Sequence, residues 1–472
     1  MTAQPRQPEP EPVVTSTRRG VGGGVVGLLL FVGIVFGLRL DPTGAALNGL
    51  DPAKVRLGLG ICACVAALWL TEALPLAITA LLVPVMACSC GLMEVKAALA
   101  GFSDPLIFLF FGGFAIAAAL SGQGLDQWMA HRIVRLGRGD FMRVCYLLFG
   151  VTAAIAMWVS HTATTAMMLP LALGILRQMP RSEGTVRNTI FLLLGVAYSA
   201  SVGGIGTLVG TPPNGIAAAQ LGIGFLEWLK FGIPAVLVLM PLLVVVLGRA
   251  CRPEKIQIPD LERLEFRFTR ARVLTLVIFG LTAAGWVFSE PLAKRLGAMG
   301  AFNTLVALVA VVALVACRVL RWQEIRRNTD WGVLLLFGGG ITLSTLIGQT
   351  GAGLWLARLF SEGMEFWPVP LVVGAVIFFM AFLTELISNT ALTALMVPIF
   401  FLISGELGIH PNKLVLPLTI AASTGFMMPV GTPPNALVFA TGKVPQREMM
   451  RVGFILNLVF VVALTILSEI LF

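Results

Sequence analysis

Two short polar triplets lie inside otherwise apolar sequence, Ser160-His161-Thr162 and Ser388-Asn389-Thr390. Each is followed by a Gly-Thr-Pro-Pro-Asn run, at Gly210–Asn214 and Gly431–Asn435. Hydroxyl, amide and imidazole groups are neutral hydrogen-bond donors. The prolines suit the first turn of a helix, where no backbone donor is lost. A helix that starts there turns free N–H groups and a positive dipole end toward its surroundings. Two such clusters suit a ligand with two separated anionic groups, such as a dicarboxylate. The donors are Ser160, His161, Thr162, Ser388, Asn389 and Thr390, with Thr211, Pro212, Thr432 and Pro433 at the half-helix starts. No arginine lies in either triplet, so the ligand's charge is expected to be balanced by co-bound cations. Backbone carbonyls at Gly203–Thr207 and Ser423–Met427, with Thr384 and Asn389, offer oxygens to a small cation.

The elements that must position these groups are membrane elements. The sequence is 57% hydrophobic and 12% charged, with a mean hydropathy of +0.92, which excludes a soluble domain. The +9 net charge is explained by topology rather than by nucleic acid. With the N-terminus inside, 24 of the 33 Lys and Arg fall on the cytoplasmic side and nine outside, so the N-terminus is expected in the cytoplasm and the C-terminus outside. No signal peptide is visible. The seven cysteines read as packing residues of membrane helices rather than as a metal site.

Each triplet joins two apolar arms of about 13 residues, shorter than the roughly 20 that cross a bilayer as a helix. Each therefore reads as a re-entrant hairpin whose turn is buried in protein or faces a water-filled cavity. Three motif pairs repeat at offsets of 226, 228 and 221 residues: Phe111-Gly112-Gly113 with Phe337-Gly338-Gly339, the two triplets, and the two Thr-Pro-Pro-Asn runs. The chain is read as a duplicated unit. Residues 1–22 are expected to form a disordered cytoplasmic tail. Residues 23–248 form the first half, with hairpin 141–179 and broken helix 188–221. Residues 249–270 form a cytoplasmic linker, and 271–472 the second half, with hairpin 369–404 and broken helix 412–441. This gives an all-α membrane protein of about eleven transmembrane helices plus two hairpins entering from opposite faces, an inverted repeat. Such repeats with paired broken helices point to a secondary transporter with its site at mid-membrane.

Two ionisable residues in apolar runs stand out, Glu72 and Glu385, because a carboxylate there is costly. Glu385, three residues before Ser388, is read as a brace for the hairpin ahead of a proton relay. His131 and His410 lie in interfacial segments. Ser160 beside His161 does not make a hydrolase: adjacent helical residues point about 100° apart, and no matching acid is evident. An anion channel is disfavoured, since closed-ended hairpins suit an occluded site better than a continuous pore.

On these motifs the chain resembles the divalent anion:sodium symporter family, from about residue 23 to the end. The resemblance rests on the paired Ser-Asn-Thr-type tips, Gly206-Thr207-Leu208-Val209-Gly210-Thr211-Pro212-Pro213-Asn214, and Gly431-Thr432-Pro433-Pro434-Asn435. It implies a homodimer in the cell membrane, with a fixed scaffold and a moving domain, working as an elevator. It implies substrate carboxylates at the two tips and one sodium site per tip. Ser160 and Gly206 would belong to the first site, and Thr384, Asn389, Ala422 and Gly425 to the second. The family's usual Asn is His161 here and its usual Ser is Ala156, so the first site is expected to be altered and a proton becomes a further candidate ion. Expected substrates are succinate-, malate- or fumarate-like dicarboxylates moved with Na+. The alternatives are a dicarboxylate exchanger, or a proton-coupled carrier of citrate, sulfate or another divalent anion. Neither an enzyme nor a nucleic-acid partner is expected.

Overall fold

Helices account for the architecture, as the apolar composition requires where no water can satisfy the backbone. The computed structural model describes residues 17–40, 47–179, 183–258, 266–296, 301–364 and 366–471. Among them, the only β pairing is an isolated antiparallel bridge between Asp140 and Gln257. Most of the expected tail, residues 1–16, lies outside the described residues, as does 259–265 of the expected linker.

Each of the eleven expected spans is helical, but they are not alike. Eight helices are long and apolar enough to cross a membrane, or nine if the bent pair Ala352–Met364 and Val369–Leu383 counts as one. Gly22–Gly37, Leu76–Ser89 and Phe302–Ala316 are apolar but shorter. The two broken spans divide at the predicted breaks, into Glu183–Gly204 with Pro212–Leu221 and Pro411–Ala422 with Pro433–Phe439. The first helix starts at Thr17, inside the segment expected to be tail. Large apolar side chains such as Leu29, Phe36, Leu237, Val309 and Ile470 are exposed, the surface a lipid-facing protein presents.

Local sequence sets the helix starts. Asp51, Asp104, Asp140 and Asp330 each accept a backbone N–H in the following first turn, at 2.8–3.1 Å. The glycine pairs have a packing role: a Cβ at Gly112 would sit 2.6 Å from Ala307, and one at Gly339 equally close to Ala80. Phe110 and Phe337 meet edge to face between them, at 4.8 Å.

The hairpin arms are longer than the 13 residues expected. Phe141–Ala156 and His161–Arg177 flank the first tip with 16 and 17 residues; Val369–Leu383 and Asn389–Glu406 flank the second with 15 and 18. Pro170 and Pro398 are carried inside the second arms. The described part of the linker is ordered against the first hairpin. Phe141 N donates to Ile256 O at 3.1 Å, and Ile258 N to Gly139 O at 2.7 Å. Glu254 is held by Asn188 through its backbone and by Arg187 through its carboxylate.

Candidate functional site

Each tip lies where one helix ends and the next begins. Ser160 caps the first exit arm, its Oγ accepting Ala163 N at 3.3 Å. That leaves its proton free to donate. Ser388 occupies the same place on the second arm without a side-chain cap bond. Ser160, Thr162, Ser388, Asn389 and Thr390 are half-buried, while His161 is buried. At the breaks, Pro212 and Pro433 open the new half-helices, as the motif predicts. Thr432 caps its half-helix through Asn435 N at 3.3 Å; Thr211 makes no such bond. Both threonines are buried, Pro212 is half-buried and Pro433 exposed.

The asparagines that end the two motifs shape the breaks. Asn214 Nδ2 donates to the carbonyls of Gly204 at 2.9 Å and Thr207 at 2.7 Å. Asn435 Nδ2 donates to those of Gly425 at 2.9 Å and Met428 at 3.0 Å. Every partner is displaced by the same 221 residues as the motif itself. Each clamp folds its break into a tight loop, and each leaves an Oδ1 buried without a partner.

Packing joins the two hairpins and breaks into one assembly. The exit arm His161–Arg177 lies on Glu183–Gly204, and Asn389–Glu406 on Pro411–Ala422, so each hairpin sits on the first part of its own broken span. The second parts cross over. Pro212–Leu221 packs on the second hairpin's exit arm, and Pro433–Phe439 on the first's.

Around the second tip, oxygens converge. Thr384 Oγ1 lies 2.7 Å from Asn389 Oδ1 and 2.8 Å from Ala422 O. Gly425 is adjacent, its Cβ position 3.4 Å from Thr384 Cγ2. The four residues proposed from sequence for a second cation site are thus together. Glu385, only 3% exposed, turns the other way. Its carboxylate accepts the N–H groups of Phe426, Met427 and Met428 at 2.7–2.9 Å, and Asn457 Nδ2 at 2.7 Å. The break frees three consecutive N–H groups and the carboxylate satisfies them, so Glu385 braces the second break.

The first tip is built differently. Position 156 is alanine, and His161 Nδ1 lies 3.5 Å from the Gly210 carbonyl oxygen. Thr207 Oγ1 donates to Met157 O, tying break to tip. Gly206 is next to Met157, whose Cγ and Cε would sit 2.9 Å from a Cβ there. Ser160 and Gly206 thus flank Met157 rather than converging through side-chain oxygens.

Other flagged residues take structural places. Glu72 is exposed and ends its helix in the left-handed region, at φ 48°. His410 caps the helix that follows it. The seven cysteines are free. A cavity of about 460 Å³ flanks the first exit arm rather than its tip, lined by Gln127, His131, Met167, Pro170, Gly174 and Gln178 among others. Three contributors were not singled out from sequence: Tyr198, Asn457 and the clamping role of Asn214 and Asn435. A tyrosine in a chain that has two, and an asparagine within the last apolar span, were the available signals.

Comparison with known proteins gives concordant matches. The citrate transporter family model (CitMHS) matches residues 66–410. An uncharacterized transporter of Haemophilus influenzae is 45% identical over 445 residues, covering 92% of this chain and 95% of that one. The sodium-dependent dicarboxylate transporter SdcS of Staphylococcus saprophyticus is 31% identical over 478 residues, covering 94% and 90%. Among solved structures, the YdaH transporter of Alcanivorax borkumensis, described as having an unusual topology, aligns with a TM-score of 0.59 at 15% identity. The alignment covers 78% of this chain and 86% of that one, a likeness of fold.

Proposed function

The chain belongs to the citrate transporter family of divalent anion:sodium symporters, and from that premise we propose that this secondary transporter carries a small dicarboxylate together with Na+. The substrate class is succinate-, malate- or fumarate-like. Its two carboxylates are held by the two tips, Ser160-His161-Thr162 and Ser388-Asn389-Thr390, with Thr211-Pro212 and Thr432-Pro433 at the adjoining half-helix starts. Neutral donors and helix N-termini at both ends suit a dianion that must be released as well as bound. The cation sits at Thr384, Asn389, Ala422 and Gly425.

The observation that carries this reading is the oxygen cluster at the second tip. Thr384 Oγ1 has one proton and two acceptor-only neighbours, with Asn389 placed oxygen-inward. One of the two short contacts therefore has no proton in it. A small cation among these hydroxyl, amide and backbone oxygens resolves that conflict, and sits one turn from the substrate donors Ser388 and Thr390. Transport by an elevator movement of the hairpins and broken spans against the remaining helices fits the crossed packing of the half-helices, and a homodimer would supply the fixed scaffold.

Purified protein in liposomes should take up labelled succinate saturably, with malate and fumarate competing, and should show counterflow. Single-channel current steps in a planar bilayer, or uptake that never saturates, would contradict this reading.

A further inference from the structure

The 228- and 221-residue offsets let each tip and break be compared with its own counterpart. Thr384, Glu385 and Asn389 stand against Ala156, Met157 and His161. The correspondence holds in space as well. A Cβ at Gly453 would meet Phe426 O at 2.4 Å, and one at its counterpart Gly232 would meet Ile205 O at 2.8 Å. Phe426 and Ile205 are themselves 221 apart.

At the second tip every difference favours a cation. Thr384 brings a hydroxyl into contact with Asn389 Oδ1 and Ala422 O, three oxygens with one proton among them. Glu385, next in sequence, adds a buried carboxylate that is a member of no ion pair among the described residues. A bound cation beside it would offset that charge, which a low-dielectric setting makes costly to leave alone.

At the first tip every difference removes a reason for one. Ala156 has no side-chain oxygen. Met157, in place of the carboxylate, lays its thioether against Gly206, the counterpart of Met427. The break needs no carboxylate, because it closes on itself: Ile205 N donates to Val202 O at 3.2 Å and Gly206 N to Gly203 O at 2.9 Å. Its carbonyls are occupied, those of Gly204 and Thr207 by Asn214 and that of Ile205 by Trp228 Nε1 at 2.9 Å. The remaining place is taken by the His161 ring, buried between Gly204 and the Gly210 carbonyl.

We propose that this protein binds a single coupling cation, at Thr384, Asn389 and Ala422, and that the counterpart place at the first tip is closed by His161 and takes none. The proposal deepens the transport reading and rests on it for the cation's purpose, but its test needs no transported anion. A dianion moved with one monovalent cation carries net negative charge, so uptake would respond to membrane potential.

The test is equilibrium binding of radiolabelled sodium to the purified full chain, with no anion present. The expected result is one ion per chain with a Hill coefficient near one, lost in Thr384→Ala and in Asn389→Ala. The double variant Ala156→Thr with His161→Asn, which copies the second tip into the first, should bind two. Two ions in the unmodified chain, none, or one that survives both single substitutions would overturn the proposal. The unmodified chain's stoichiometry decides even if the double variant does not fold. One bound sodium with no succinate uptake would refute the transport reading and leave this proposal standing.

Discussion

The hydroxyl of Tyr198 donates to the backbone carbonyl of Phe426 at 2.7 Å, and the two rings lie 4.7 Å apart. Tyr198 belongs to the first broken span and Phe426 to the second break, so one bond ties the two halves together beside the carboxylate brace. Phe426 also supplies the N–H that Glu385 accepts. Tyr198→Phe should keep the ring contact and leave the Phe426 carbonyl without this donor, costing about 1–3 kcal/mol. Thermal unfolding of the purified protein should shift downward, with a larger shift for Tyr198→Ala. An unchanged midpoint in both variants would show that the bond contributes nothing to the assembly.

The tips themselves should be needed for transport and not for folding. Asn389→Ala and Thr390→Ala are expected to abolish succinate uptake while the protein elutes as a monodisperse species. Their side chains are half-buried at a helix start, so truncation opens no large core cavity. Normal uptake by both variants would remove the second tip from the binding site.

Asn214 and Asn435 should matter through the loops they clamp. Removing either amide leaves two buried carbonyls without a donor, a loss of about 2–6 kcal/mol if neither is re-paired. Asn435→Ala is expected to weaken sodium binding at least tenfold, since Gly425 is among its partners, whereas Asn214→Ala should leave sodium affinity within about twofold. Both should lower thermal stability. Equal effects of the two on sodium affinity would argue against a cation site confined to the second tip.

Much of this was legible in the sequence, because the strongest signals were local. Proline after threonine fixed where the half-helices start, and Ser160 caps its arm as its residue type suggests. Equal offsets announced the duplication. The lengths of the arms were not legible: Pro170 and Pro398 look like helix ends, yet each is accommodated inside an apolar helix whose other turns satisfy the backbone. Nor was the cross-packing of the half-helices, since nothing in Pro212–Leu221 or Pro433–Phe439 says which hairpin each one meets. Glu385 was legible as a brace but not in its partners, because the N–H groups it accepts lie 41–43 residues away and Asn457 lies 72 away. His161 was conspicuous only as a departure; its closure against Gly210 depends on a loop 49 residues on.

Alternating access gives a test of the moving parts. With the seven native cysteines replaced, single cysteines at Ser160 and Ser388 should be labelled by a membrane-impermeant thiol reagent from one side at a time. Addition of substrate and sodium should change the labelling rates of both. Rates that stay constant under every gradient would count against movement of the hairpins.

Concentrative uptake driven by sodium tests the central claim most directly. Proteoliposomes loaded without sodium and diluted into sodium-containing buffer should accumulate labelled succinate above the external concentration, and a sodium ionophore should collapse the gradient. Accumulation should be absent in Thr384→Ala. Uptake that occurs only in exchange for internal dicarboxylate, at a rate independent of sodium, would contradict cation-coupled transport.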